Sequence, residues 1–234
     1  MRYVDLNADL GEEVTDDAGL LGVVTSANLA CGYHAGSVAI MRSVCEEAAR
    51  LGVSIGAQVS YADREHFGRR PLDVAPGTLR EQVADQVGTL VEIAQSAGTS
   101  VRYLKPHGAL YHRTTTDPEQ ARAVLEGSGD LPVLGMPGVL LDLATGHGRE
   151  VRHEGFPDRG YDDSGRLVPR GEPRALLEGA DAVAEHALRL LREPPGGVAG
   201  LASLCVHGDS PGAVEHARAV RDALEAAGWT LRGL

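Results

Sequence analysis

Short apolar runs alternate with amphipathic stretches along this chain, and the alternation predicts a repeated strand–helix architecture. The apolar runs that are typical of strands cover residues 3–10, 25–31, 53–58, 101–104, 131–135, 150–154 and 200–206. Apolar residues at helical spacing, with start signals such as Ser37, predict helices over residues 18–24, 37–51, 76–97, 118–127, 137–144, 180–192 and 211–228, the last opened by Pro211.

Strands that alternate with helices favour parallel pairing through right-handed crossovers. About seven such units favour a TIM-barrel-like fold of class α/β, a seven-stranded (β/α) barrel. Because periodicity does not distinguish a closed sheet from an open one, a doubly wound sheet stays as the alternative. The length of 234 residues fits one such domain over residues 1–234.

Composition excludes several classes of partner. The net charge of −11 argues against nucleic acid and against an anionic membrane surface. No apolar stretch is long enough to span a bilayer, and the amino terminus carries acids where a signal peptide needs an apolar core. We therefore expect a soluble, cytoplasmic protein. Three cysteines without a CxxC motif indicate neither a disulfide framework nor a thiolate zinc site.

The first predicted strand alternates strictly between apolar and polar residues. Its polar positions, Asp5, Asn7 and Asp9, share one face. Such a face is ordinary at a solvated sheet edge, but in a chain of strand–helix units it could line the mouth of a barrel.

Residues 101–112, VRYLKPHGALYH, place a lysine and a histidine directly after a buried strand. Lys105 and His107 are two residues apart, so they point to the same side if the chain stays extended. Two interpretations are open. Lys105 could reach solvent while His107 caps the next helix, or both side chains could meet a substrate.

Similar polar side chains follow most of the predicted strands. They are Asp5, Asn7, Asp9, Asn28, His34, Gln58, Lys105, His107, Glu154, Asp158, Arg159, His207 and Asp209. The carboxyl ends of barrel strands meet on one face, so these residues are expected to converge on an active site although they lie far apart in sequence.

Several familiar chemical schemes lack their motifs. The chain has no P-loop for ATP, no GxGxxG, no HExxH and no GxSxG. Asp9, His34 and His107 have the chemistry of metal ligands, but they lack a diagnostic spacing, and we assign no metal site from sequence.

Five stretches together resemble the LamB/YcsF family of 5-oxoprolinase A subunits. They are DLNADLGE (5–12), TSANLACGYHAG (25–36), YLKPHGALYH (103–112), EGFPDRGYDDSGRLVPR (154–170) and CVHGDSPGAV (205–214). The resemblance implies a seven-stranded (β/α) barrel of the glycoside hydrolase/deacetylase superfamily type. Two positions depart from the family pattern: Gln58 stands where the family commonly has histidine, and Ser37 where an aspartate is common.

The activity that the resemblance implies is the ATP-dependent opening of 5-oxo-L-proline to L-glutamate, together with 5-oxoprolinase subunits B and C. ATP, with a divalent ion such as Mg²⁺, is then the expected cofactor. Because this chain has no P-loop, we expect ATP to be bound with or by the partner subunits. The sequence leaves open whether copies of the chain also assemble with one another.

A hypothesis for the site follows from this activity. The candidates for catalysis are Asp5, Asp9 or Glu154 as the base for water and His107 or His207 as the acid for the ring nitrogen. Lys105, together with Arg159, is expected to hold carboxylate or phosphate oxygens. The candidates for substrate binding are Asn7, Asn28, His34, Gln58, Arg159 and Asp209. Two other functions stay open: a metal-dependent deacetylase or other carbohydrate hydrolase, and a lactam-binding subunit without catalysis.

Overall fold

Seven parallel strands close into a barrel in the computed structural model, which describes residues 2–14, 16–209 and 212–234. The strands are β1 (Arg2–Leu10), β2 (Ser26–Ala30), β3 (Ser54–Val59), β4 (Val101–Pro106), β5 (Val133–Gly135), β6 (Val151–Gly155) and β7 (Ser203–Val206). Neighbours in sequence pair around the ring, and β1 pairs with both β2 and β7. This second pairing closes the barrel and excludes the open doubly wound sheet.

Helices return the chain between successive strands. They are α1 (Asp17–Leu21), α2 (Val38–Leu51), α3 (Pro76–Ser96), α4 (Gly108–Thr114), α5 (Pro118–Gly127), α6 (Val139–Gly146), α7 (Ala180–Arg192) and α8 (Ala213–Ala226), with short 3-10 turns at Arg64–His66 and Pro195–Gly197. Ser37 caps α2 as predicted, because its side-chain oxygen accepts a hydrogen bond from the Ile40 amide. The predicted start of the last helix at Pro211 lies outside the described residues.

Besides shifts of two or three residues at the ends of elements such as β5, β7 and α6, three features differ from the sequence prediction. Helix α1 ends at Leu21 rather than residue 24, because Gly22 caps it and the chain turns into β2. No range was predicted for helix α4, which follows Pro106 and starts at Gly108, two residues typical of turns. Only the alternative in which His107 caps the next helix implied a helix there. A short strand β8 (Trp229–Leu231) pairs with the start of β1 outside the closed ring, and three residues are too few for a reliable period.

The aliphatic core lies between the barrel and the helices, and the barrel interior is polar. In β1, Val4, Leu6, Ala8 and Leu10 belong to the aliphatic core. The residues between them face the interior, where side chains from different strands bond across the barrel. Interiors of this fold are more often filled by Val, Ile and Leu. Apolar and polar residues therefore alternate strictly in β1 because both of its faces are buried, one in the aliphatic core and the other in the polar barrel interior.

A hydrogen-bonded chain of side chains runs along the interior towards the carboxyl ends of the strands. Asn7 Nδ2 donates to Ser203 Oγ (2.6 Å), and Asn28 Nδ2 donates to Asn7 Oδ1 (2.6 Å) and to Asp9 Oδ1 (2.8 Å). The Tyr103 hydroxyl donates to Asn28 Oδ1 (2.7 Å). These bonds satisfy buried polar groups and hold Asp9 in place at the upper end of the barrel.

Among the described residues, no helix combines the length and apolar character needed to cross a membrane.

Candidate functional site

A pocket opens at the carboxyl ends of the strands, where the active site of a barrel is expected. Its principal lining residues are Asp9, Glu12, Arg69, Lys105, His107, Tyr111, Phe156, Arg159, Arg170, His207 and Asp209. The structure thus brings together six of the residues selected from the sequence, from β1, β4, the loop after β6 and the segment after β7. Glu12, Arg69, Tyr111 and Arg170 join them, although no role was predicted for any of the four.

Lys105 forms the centre of the pocket floor and is almost completely buried. Its Nζ lies 2.9 Å from Glu154 Oε2, 3.4 Å from Asp9 Oδ1 and 3.0 Å from the Cys205 sulfur. Burial opposes its charge, but the carboxylate of Asp9 and that of Glu154 outweigh this effect and raise the pKa of Lys105 well above its usual value. The interpretation in which Lys105 reaches solvent is therefore wrong.

Lys105 is also the only lysine of the chain. Lysine and arginine together number 22, so all the other residues of this set are arginines. A compact ammonium fits between two carboxylates and a thiol, whereas a guanidinium is planar and larger. Burial raises the pKa of the Cys205 thiol well above its usual value, so Cys205 contributes a neutral neighbour rather than a nucleophile.

Glu154 lies behind the pocket wall, where the Tyr111 hydroxyl donates to its Oε1 (2.9 Å) while Oε2 pairs with Lys105. Asp9 itself faces the pocket. Burial would raise the pKa of Asp9, but Lys105, with a smaller effect of His207, holds it below its usual value. Asp9 is therefore an anion at the pocket floor.

His207 is held in place by Asp158, a residue for which the sequence predicted no specific role. Its Nδ1 lies 2.9 Å from Asp158 Oδ2, and its backbone N–H donates to the same oxygen (3.0 Å). The ring of Phe156 stacks on the imidazole with centroids 5.3 Å apart. Burial would raise the pKa of Asp158, but His207 lowers it. Asp158 therefore orients the ring and leaves Nε2 for the pocket.

A second histidine group lies beside the pocket, formed by Glu12, His34, Gln58 and His107. Glu12 Oε1 lies 3.4 Å from His107 Nδ1 and 3.8 Å from His34 Nε2, and the two imidazoles stack with centroids 4.1 Å apart. Gln58 Nε2 lies 3.0 Å from Glu12 Oε1 and 3.1 Å from His107 Nδ1. Glu12, rather than Asp9, is therefore the carboxylate that joins the two histidines.

Burial decides the charge state of this group. Burial and the nearby charge of Asp9 raise the pKa of Glu12 well above its usual value, while burial lowers the pKa of His34 to about 4 and that of His107 well below its usual value. Within the described residues, neither ring nitrogen of His34 makes a hydrogen bond. A buried polar group without a hydrogen bond destabilises a fold by roughly 1–3 kcal/mol.

His107 occupies the position before α4, but its side chain does not cap that helix.

Arginines surround the mouth of the pocket. Arg69 forms an ion pair with Asp209, and Arg170 Nη2 lies 3.6 Å from the other oxygen of the same carboxylate. Arg159 donates instead to the carbonyls of Ala175 (3.0 Å) and Val168 (2.7 Å), so it also holds the loop that follows β6. The mouth is therefore basic although the whole chain is acidic.

Three of the expected site residues lie deeper in the barrel. Asp5 accepts hydrogen bonds from Thr25 Oγ1 (2.7 Å), Ser26 Oγ (2.6 Å) and Ser203 Oγ, and it does not line the pocket. Asn7 and Asn28 belong to the interior chain of hydrogen bonds. This placement argues against Asp5 as a base for water and against direct substrate contacts of the two asparagines. The alternation of apolar and polar residues in β1 puts Asp5, Asn7 and Asp9 on one face. It does not show which of them lies at the mouth of the barrel and which lies deep in its interior.

Comparison with known proteins agrees with the resemblance seen in the motifs. Residues 4–234 match the sequence model of the LamB/YcsF family. The chain belongs to the LamB/YcsF family. A relative of this LamB/YcsF chain, the 5-oxoprolinase A subunit of Streptomyces avermitilis, is 53% identical over 245 residues, which cover 96% of the chain and 97% of the relative.

Solved structures place the LamB/YcsF chain in the expected fold. The lactam utilization protein from Thermus thermophilus superposes with a TM-score of 0.91 at 36% identity, covering 100% of both chains. A family 4 carbohydrate esterase from Streptomyces lividans superposes with a TM-score of 0.53 at 12% identity, covering 100% of this chain and 92% of the esterase. The second likeness concerns the fold alone, and it agrees with the deacetylase-type barrel predicted from the motifs.

Proposed function

We propose that this chain is the A subunit of an ATP-dependent 5-oxoprolinase, which opens 5-oxo-L-proline to L-glutamate together with subunits B and C. The observation that carries the proposal is the 53% identity to a 5-oxoprolinase A subunit over nearly the full length of both chains. A dependence on ATP fits the cytoplasmic location expected from the sequence.

The chemistry explains why ATP is required. A five-membered lactam is a stabilised amide, so its direct hydrolysis is slow and unfavourable. Transfer of the γ-phosphoryl group of ATP to the lactam oxygen, with loss of the N–H proton, makes the ring carbon electrophilic. One water then adds, and breakage of the C–N bond with a proton delivered to nitrogen leaves an acyl phosphate. A second water converts it into L-glutamate and phosphate.

The pocket floor supplies the groups that the water step needs. Asp9 is anionic and faces the pocket, so it is the base among the candidates that can reach a bound water. Lys105 is positively charged and lies 3.4 Å from Asp9, so it stabilises the negative charge that develops on the attacked carbon's oxygen. Glu154 acts through Lys105 by holding its ammonium in position.

His207 is the acid for the ring nitrogen. After water has added, the intermediate can expel either phosphate, which regenerates the lactam, or the amine, which opens the ring. Protonation of the nitrogen favours the second route. The contact between Asp158 and Nδ1 directs the other ring nitrogen of His207 towards the pocket.

The basic mouth fits the negative charge of the substrate. Arg69 and Arg170, which share Asp209, can bind the carboxylate of 5-oxo-L-proline or the phosphate of its activated form. The chain has no P-loop, so ATP and its Mg²⁺ are assigned to the partner subunits, and this pocket receives the phosphorylated lactam.

The first test is glutamate release from 5-oxo-L-proline and ATP, with this chain alone and with subunits B and C added. We expect release only in the full mixture, at a rate that depends on this chain. A folded chain that leaves the activity of B and C unchanged would contradict the proposal.

Variants then test the site. Lys105→Met and His207→Gln should each lower glutamate release in the full mixture by about 100-fold or more. The first variant lacks the positive charge that stabilises the developing oxyanion, and the second lacks the proton donor for the ring nitrogen. His147→Gln, at an exposed histidine after α6, is the matched control and should keep normal activity. Near-normal rates in both site variants would favour a lactam-binding subunit without catalysis.

A further inference from the structure

We propose that Glu12, His34 and His107 form a binding site for a divalent transition-metal ion. The amide oxygen of Gln58 is the fourth protein ligand. This inference does not rest on the proposed function, because it concerns the affinity of this chain alone for an ion.

The three side chains bring their ligand atoms close together. One carboxylate oxygen and one nitrogen from each imidazole all lie within 4.8 Å of one another. The separation of Glu12 Oε1 from His107 Nδ1 is 3.4 Å, and from His34 Nε2 it is 3.8 Å. Ligands of a tetrahedral ion with bonds of about 2.0–2.1 Å stand roughly 3.3 Å apart. The separations are therefore close to those of a bound ion. Because imidazole lone pairs lie in the ring planes and the two rings are nearly parallel, at 15° to each other, the imidazoles would rotate to direct both lone pairs at the ion.

His107 carries the outer hydrogen bond that is usual for a metal-bound histidine. Its Nε2 lies 3.1 Å from the carbonyl oxygen of Phe67, so Nε2 keeps the proton and donates it there. Nδ1 then has its lone pair directed at Glu12 and Gln58, and it accepts a hydrogen bond from Gln58 Nε2 (3.1 Å). Metal-ligating histidines commonly donate their second N–H to a carbonyl or a carboxylate, which fixes the tautomer.

His34 makes no well-formed hydrogen bond within the described structure. The side chain is 1% exposed, and neither Nδ1 nor Nε2 makes a hydrogen bond there. The ring is restrained by stacking on His107 and by an edge contact with Phe67. Buried imidazoles are normally hydrogen-bonded, so a buried ring that makes no hydrogen bond and lies beside a carboxylate is better explained by a ligand.

Gln58 can make favourable contacts both when the site is empty and when it holds an ion. As placed, its Nε2 bridges Glu12 and His107, while its Oε1 is buried without a hydrogen-bond partner in the described chain. A half-turn of the terminal amide exchanges the two atoms. The oxygen would then face the carboxylate and the lone pair of Nδ1, an arrangement that becomes favourable when a cation lies between them.

The ligand set selects the class of ion. Two imidazoles with one carboxylate are typical of Zn²⁺ and similar transition metals, whereas Mg²⁺ prefers oxygen ligands and retains its water. Glu12 and His107 line the pocket, while His34 lies behind them and is almost completely buried. With four protein ligands, a fifth coordination position on the pocket side would remain for water or substrate, where a bound ion would polarise an oxygen atom or activate water.

Direct metal binding tests the site. The chain is first stripped of metal with a chelator and then titrated with Zn²⁺ against a chromophoric competitor, and separately with Co²⁺ while its visible absorption is recorded. We expect one tight equivalent of Zn²⁺, Co²⁺ bands of four- or five-coordinate intensity, and no displacement of Zn²⁺ by a large excess of Mg²⁺. Displacement by Mg²⁺ would contradict the assignment to a transition metal.

Substitutions separate this site from binding elsewhere. Glu12→Gln and His34→Asn should weaken Zn²⁺ binding by about 100-fold or more, because loss of a direct ligand should exceed the 10–100-fold effect of an outer contact. His216→Asn, at a buried histidine of α8, is the control and should bind normally. Equal affinity in all three variants and the unmodified chain would overturn the proposal.

A measurement on the unmodified chain avoids any loss of folding in the variants. The imidazole nitrogen signals of all 9 histidines can be followed by NMR while Zn²⁺ is added. We expect the signals of His34 and His107 to shift as one site fills and those of the other histidines to stay in place. A first shift at His207, or no shift at all, would contradict the proposal.

Discussion

At the scale of single residues, the feature that most distinguishes this site is a buried lysine with two carboxylates in contact. Lys105 has Asp9 and Glu154 as its ion partners and Cys205 as a neutral neighbour. Removing one partner from such a group leaves an uncompensated buried charge, which is strongly unfavourable. The arrangement therefore maintains a fixed positive charge at the pocket floor, as the proposed stabilisation of an oxyanion requires.

The charge of Lys105 can be measured directly, because the chain has no other lysine. Protein made with labelled lysine gives one side-chain Cε signal, whose chemical shift reports the protonation of Nζ. We expect this signal to stay that of the ammonium form at pH 10.5, where an ordinary lysine is about half deprotonated. The same protein in concentrated urea is the control, and its lysine should titrate at about pH 10.4. Half-deprotonation at pH 10.5 in the folded chain would show that the carboxylates do not hold the charge.

At the scale of elements, strands β3 and β4 show how the barrel accommodates a large polar side chain. Tyr103 in β4 fills the interior and donates to Asn28 across the barrel. Its ring lies against the backbone of Gly56 in β3, where a Cβ atom would overlap the ring. Gly56 is needed because of this close approach and not because of a special backbone angle.

The substitution Gly56→Ala should therefore destabilise the fold. The added methyl group displaces Tyr103 and strains its hydrogen bond, an effect of about 1–3 kcal/mol in the free energy of unfolding. Urea denaturation followed by circular dichroism measures it. Gly88→Ala is the matched control, since Gly88 lies exposed within α3 with open space at its Cβ position. There we expect stabilisation by about 0.5–1 kcal/mol, because alanine favours a helix. Equal effects of the two substitutions would show that Tyr103 does not restrict Gly56.

At the scale of the whole molecule, one polar axis runs through the barrel from its amino-terminal end to the pocket. At the lower end, Asp5 is fully buried and accepts hydrogen bonds from three hydroxyl groups. Burial raises the pKa of Asp5 to about 6, although these hydroxyls oppose the effect. The axis thus contains a carboxyl group whose ionisation is coupled to folding.

Stability should therefore depend on pH through Asp5. The folded-state pKa of about 6 lies above the usual value of 3.8, so the folded chain binds the proton more tightly. The contribution of Asp5 is fully present below about pH 3.8 and is lost as the pH rises through 6. Its full size is about 3 kcal/mol.

Comparison with Asp5→Asn isolates this effect from other titrating groups. Because the variant cannot ionise at this position, its free energy of unfolding relative to the unmodified chain should rise by up to about 3 kcal/mol between about pH 4 and pH 7. Urea denaturation across this range measures the difference. Asp222→Asn, at a position of α8 away from the barrel interior, should leave the difference constant. A constant difference for Asp5→Asn as well would show that Asp5 does not titrate on folding.

The sequence by itself determined the repeated architecture. Apolar periodicity and end signals placed most strands and helices, including the full extents of α5 and α7, because these elements depend on contacts that recur every few residues. The parallel order followed from the alternation of strand and helix. Motifs such as residues 103–112 were also sufficient to identify the family, and they included Lys105, His107 and His207.

Only the tertiary structure decided which side chains meet. Closure of the barrel placed Asp5 inside and Asp9 at the pocket, although both occupy the same face of β1. Glu12 rather than Asp9 reached the two histidines, Asp158 reached His207, and Arg69 reached Asp209. These partners come from different strand ends and loops. Their distances depend on how the whole barrel closes, which a local pattern does not encode.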